Sequence, residues 1–130
     1  HYRRILAQRK MTPNRYTAGA GRAARGVNDG KGFVFVSHAG EIYPSGFLPI
    51  SAGNVKRDSL TDVYRYSDIF KTLRDPSKLK DKCGACEYKS ICGGSRARAY
   101  AVHGDMTAAD PFCVHIPKGY LITENEKTYW

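Results

Sequence analysis

The chain has 130 residues, 42% of them hydrophobic, with thirteen glycines and six prolines, which bounds it to one domain with a modest core and much irregular backbone. No run approaches the roughly 18 apolar residues that span a bilayer, and no apolar signal core follows His1, Tyr2, Arg3 and Arg4, so a cytoplasmic protein with no membrane partner is expected. The formal charge of +9 raises nucleic acid, but the basic residues scatter from Arg3, Arg4 and Arg9 through Lys56 and Arg57 to Arg96 and Arg98 with no recognition motif, so a solvated basic surface or a docking face for anionic groups is expected instead.

Residues 1–10 have a helical composition that Pro13 and Asn14 stop. The chain opens without Met and in what reads as the middle of a helix, so it is taken as a fragment. Gly19, Gly21, Gly26 and Gly30 then mark a flexible connection to a preceding domain. Residues 32–37 are β-branched and aromatic, His38, Ala39 and Gly40 supply a turn, and residues 41–44 resume an extended pattern, which predicts a β-hairpin. Pro44 cannot donate to a ladder, so the second strand ends there or lies at an edge; residues 45–49 make a further turn.

A capping-box-like start at Ser59 and Asp62 precedes Val63, Tyr64, Ile69, Phe70 and Leu73 at helical spacing, which gives one helix or two short ones ended by Asp75 and Pro76. Residues 77–82 form a short turn into the cysteines. Residues 96–103 are helix-forming, Gly104 fits the stop, and the tail from Ile116 has no clear pattern. Tyr43, Phe47, Tyr64 and Phe70 are assigned to the core. His38 lies in a turn and His103 suits a helix C-terminus, while His115, two residues after a cysteine, is given a surface or packing role. The fold class is α+β: a small loop-rich domain with a β-hairpin, short helices and a four-cysteine metal site.

That site takes every cysteine in the chain, as Cys83-x2-Cys86-x5-Cys92-x20-Cys113. Two intervening residues let the chain turn so that both sulfurs of the CxxC step face one centre, and Gly84, Gly93 and Gly94 let backbone approach without Cβ clashes. Amides of such a turn can donate to sulfur and offset negative charge. Clustered cysteines in a cytosolic chain point to metal or redox chemistry before structural disulfides. Four thiolates suit either an iron–sulfur cluster or a closed zinc site, and chemistry alone leaves both open. Disulfide pairing is a third reading.

The segment Cys83-Gly-Ala-Cys86-Glu-Tyr-Lys-Ser-Ile-Cys92-Gly-Gly-Ser-Arg-Ala-Arg-Ala-Tyr100, followed by Asp110-Pro-Phe-Cys113, resembles the SPASM domain that follows the barrel of many radical SAM enzymes. The hairpin region from Gly26 resembles the branch that includes the haem d1 and alternative haem b enzymes and, more distantly, the PQQ-synthesis protein. The likeness runs from about Arg22 to Cys113. It implies that Cys83, Cys86, Cys92 and Cys113 ligate one auxiliary [4Fe-4S] cluster, which would bring the formal charge from +9 to about +7. A full SPASM domain uses further cysteines for another cluster; here Ser37, Ser45 and Ser95 stand in those regions, so one cluster is expected, not two.

The CxxxCxxC motif that binds the SAM-cleaving cluster is absent, so S-adenosylmethionine and its cluster belong to a missing barrel. On this reading residues 1–30 are a helix end and linker from that barrel and residues 31–130 the auxiliary-cluster domain. The barrel is the expected partner, with a ferredoxin-like donor or acceptor as a second. Four protein ligands leave no iron open to substrate, which favours electron transfer over Lewis-acid catalysis and is compatible with stapling the fold. Arg96 and Arg98 are candidates to place positive charge near the cluster or on anionic substrate groups, but residues two apart on a helix point about 200° from one another, so at most one faces the cluster. The implied parent reaction modifies a tetrapyrrole side chain or a peptide. A zinc-stapled interaction module and a stand-alone electron carrier are the alternatives.

Overall fold

Alternation of extended residues around a Gly40 turn builds the hairpin: β1 (Phe35–Val36) pairs antiparallel with β2 (Glu41–Tyr43), in the register Phe35 to Tyr43 and Val36 to Ile42. A third strand, β3 (Gly53–Asn54), pairs on the other side of β2, so β2 is central and ends just before Pro44, as a residue without an N–H requires. The computed structural model describes residues 2–11 and 28–122, without the side chains of Tyr2 and Arg3. The expected connection with its Pro13 stop and the end of the tail lie outside the described residues.

β3 is the one strand that patterning missed, because two residues carry no periodicity. It is held instead by polar side chains. Asn54 Nδ2 donates to Glu41 Oε1 at 2.8 Å, and Asn54 N donates to Asp58 Oδ2 at 2.7 Å.

At the N-terminus lies α1 (Tyr2–Gln8); beyond the sheet come α2 (Leu60–Tyr66) and α3 (Asp68–Arg74). Ser59 Oγ accepts from Asp62 N and Ser67 Oγ from Phe70 N, each at 3.4 Å, so two N-caps settle on two short helices the choice that the apolar spacing left open between one and two. A 3-10 turn, Pro76–Lys78, leads to α4 (Asp81–Ala85), and α5 (Arg96–His103) ends on Gly104 at φ 68°.

Ile42, Leu48 and Phe70 are fully buried, and each contributes about 2 kcal/mol. Tyr64 meets Phe70 edge-on with ring centroids 5.2 Å apart. Phe47 corrects the expected core: it is 86% exposed. Ser45 pairs with Leu48 across the turn and Ser45 Oγ accepts from Phe47 N, which sends Leu48 inward and Phe47 outward. No described helix is long and apolar enough to cross a membrane.

Candidate metal centre

The segment that carries the cysteines changes direction at each of them. Cys83 lies within α4 and Cys86 caps its C-terminus. A turn follows in which Lys89 N donates to Cys86 O and Cys92 N to Tyr88 O, returning the chain to Cys92. Gly93 and Gly94 then both adopt the left-handed region, φ 66° and 64°. A Cβ on Gly94 would stand 2.9 Å from Asp110 Cβ and 3.2 Å from Cys83 Sγ, so this position has no room for a side chain. Gly84 answers to a different neighbour, since its Cβ would meet Leu79 O at 2.3 Å.

None of the four cysteines is in a disulfide, and all four line one small cavity. Arg4, Lys82, Lys89, Gly93, Gly94 and His115 complete the lining, which holds cations and no carboxylate. Two backbone amides donate to sulfur: Tyr88 N to Cys86 Sγ at 3.4 Å and Asp110 N to Cys83 Sγ at 3.3 Å. Neither comes from within the Cys83–Cys86 step; the first belongs to the turn that follows it. Burial pushes the Cys83 thiol up, against the downward pull of the Asp110 amide and the Arg96 guanidinium, and burial also pushes Cys86 up. A metal bound here must displace those protons.

Arg96 and Arg98 separate as helical geometry requires. Arg96 is 2% exposed; its Nη1 donates to Met106 O and Ala108 O at 3.0 and 2.7 Å, and its Nη2 lies 3.6 Å from Cys83 Sγ. Arg98 points away from the cavity and pairs with Asp110 at 2.7 Å.

The serines in the cysteine-poor regions have backbone partners. Ser37 Oγ accepts from Glu41 N, Ser45 Oγ from Phe47 N, and Ser95 Oγ caps α5 through Arg98 N. His115 packs edge-on against Tyr88 and sits 3.0 Å from Glu87 Oε1 and 3.3 Å from Gln8. Cys86, Glu87 and His115 form, among the described residues, the one trio of possible ligands whose donor atoms lie within 4.8 Å of one another.

Four residues matter to the site beyond those the cysteine pattern marks. Asp110, fully buried, accepts from Ser95 N at 2.8 Å and from Phe112 N, tying the start of α5 to the loop of Cys113. Its signal was the Asp-Pro step three residues before that cysteine. Lys82 Nζ donates to Cys113 O at 2.7 Å. Asn28 Nδ2 donates to Gly94 O at 2.8 Å, and Asp29 Oδ2 accepts from Ala97 N at 3.0 Å, so a distant segment grips the stretch after Cys92. Nothing in their local sequence announces those long-range contacts.

No family model matches the chain. It is 40% identical to AdoMet-dependent heme synthase of Methanosarcina barkeri over 121 residues, 90% of this chain and 35% of that protein. It is 34% identical to PqqA peptide cyclase of Rhizobium meliloti over 106 residues, 81% of this chain and 27% of that protein. With pre-heme d1 synthase of Dinoroseobacter shibae the identity is 32% over 92 residues, 68% of this chain and 23% of that protein. The chain thus spans about a third or less of the relatives it matches. These relatives bear out the likeness drawn from the cysteine segment and the hairpin: over most of its length the chain is similar to a part of enzymes named for heme and PQQ synthesis, consistent with a SPASM-like portion of them.

Proposed function

We propose that this chain is an auxiliary-cluster domain in which Cys83, Cys86, Cys92 and Cys113 hold one [4Fe-4S] cluster, serving electron transfer and substrate covering in an enzyme that modifies a tetrapyrrole or a peptide. The observation that carries the reading is that four sulfurs distant in the chain line one cavity with cations and no carboxylate, a lining suited to an anionic group. The sequence spacing favours a cluster over zinc, since typical zinc ribbons use a second CxxC and here the second pair is split by five and then twenty residues.

When bound, such a cluster supplies a one-electron store. The chain's own residues do the rest. The Tyr88 and Asp110 amides donate to thiolate sulfur, the Arg96 guanidinium places charge beside Cys83, and Lys82 fixes the loop of Cys113. Beside Cys92 an open groove lined by Phe33, Phe47 and Arg98 offers ring surfaces and a guanidinium to a substrate held against this face. The names of the relatives support a tetrapyrrole first and a peptide second.

Anaerobic reconstitution with an iron and sulfide count tests the assignment. About four irons and four sulfides per chain are expected, with broad visible absorption, and each of Cys83→Ala, Cys86→Ala, Cys92→Ala and Cys113→Ala should lose most of both. A chain that takes up zinc and no sulfide would overturn it, as would a Cys113→Ala variant with undiminished iron.

A further inference from the structure

We infer that Arg4, on α1, is a positioning residue that sets the reduction potential of the cluster. Arg4 lies far from the cysteines in sequence yet lines their cavity, and it is 7% exposed. Its Nη1 donates to Gln8 Oε1 at 3.0 Å, while its buried Nε has no hydrogen-bond partner among the described residues. A guanidinium stays protonated in proteins, and a buried N–H without an acceptor is costly. An unpaired donor on a buried cation beside four sulfurs is accounted for if the cavity's occupant accepts that hydrogen bond.

The rest of α1 fits this role. Gln8 meets His115 Nδ1 at 3.3 Å, and His115 Nε2 meets Glu87 Oε1 at 3.0 Å, next to Cys86. A chain of polar contacts therefore runs from Arg4 along the rim to the CxxC turn and fastens α1 over the cavity. Lys82 and Lys89 also line the cavity, but their Nζ atoms donate to Cys113 O and Gly84 O. Among the described cations that line the cavity, Arg4 is thus the one whose buried Nε lacks a hydrogen-bond partner, as Arg96 Nε and Arg98 Nε do outside this lining. Adding an electron makes the cluster more negative, so a fixed positive charge and an N–H donor stabilise the reduced form and raise the potential.

The inference rests on the cluster reading, and the experiment separates the two. The full chain is reconstituted anaerobically as wild type, Arg4→Met, Arg4→Gln and Arg4→Lys. Each is checked for iron, sulfide and circular dichroism, and the cluster is titrated potentiometrically by electron paramagnetic resonance. Both neutral variants should shift the equilibrium toward the oxidised cluster at least tenfold, about 59 mV for a one-electron couple, and Arg4→Lys should retain most of the wild-type potential. A loaded Arg4→Met or Arg4→Gln protein titrating at the wild-type potential overturns the inference. Loss of the cluster from both neutral variants that lysine does not restore also overturns it, because that pattern belongs to packing rather than charge. Wild-type chain that binds neither iron nor sulfide sinks the cluster reading itself.

Discussion

Asp110 shows how much one side chain can hold in place around the cysteines. Its carboxylate, fully buried, accepts from Ser95 N and Phe112 N and pairs with Arg98, whose side chain is 43% exposed, while its own amide donates to Cys83. Removing the carboxylate leaves backbone donors without acceptors, although water can still reach Arg98. Asp110→Ala should therefore lower stability by about 2–3 kcal/mol in chemical denaturation, and Asp110→Asn by less, because an amide oxygen can still accept. Equal losses in the two variants would contradict this account of the residue.

Among the elements, α4 is tied to the loop after α5 by Lys80 and Asp105, whose side chains meet at 2.6 Å. Asp105 also accepts from Thr107 N, and these hydrogen bonds, that of Lys80 foremost, hold its carboxyl at about 2, below its usual value of 3.8. A carboxylate with a lowered folded value stabilises the fold above the unfolded value, and that stabilisation is lost as pH falls from 3.8 through about 2. The difference in stability between wild type and Asp105→Asn should shrink across that window. It should not exceed about 1 kcal/mol at neutral pH, since solvent screens the pair. A difference independent of pH would contradict the role given to Asp105. The elements were largely legible in the sequence. The hairpin, the Ser59 N-cap, the Asp75 stop and the whole of α5 were carried by local signals such as Ser59, Pro44 and Gly104, whereas the Ser67 cap that divides α2 from α3 was not read. β3 and the inward–outward choice at Phe47 and Leu48 were not, because pairing partners and turn geometry decide them. Arg4 was invisible for the same reason: its position at the cavity depends on where α1 packs, which no local pattern encodes.

At the scale of the whole molecule the apolar core is thin. Among the described residues its fully buried apolar side chains of any size are Ile42, Leu48, Phe70 and Pro44, and the other buried apolar residues besides Cys83 and Cys113 are the small Ala99, Ala108 and Ala109. A core of this size leaves stability dependent on whatever fills the cavity. Removing the metal from reconstituted protein with a chelator should lower the thermal midpoint by roughly 10–20 °C, and an unchanged midpoint would show that the cavity adds nothing to folding. The bond between Ser95 and Asp110 has a consequence for assembly. It joins two points of the stretch between Cys92 and Cys113 without any metal, so the longest loop of the site is closed by protein contacts alone. On the proposed cluster reading, incoming iron would meet a fourth sulfur already delivered, and loading should proceed as a capture by a waiting pocket rather than a slow search by a loose chain end.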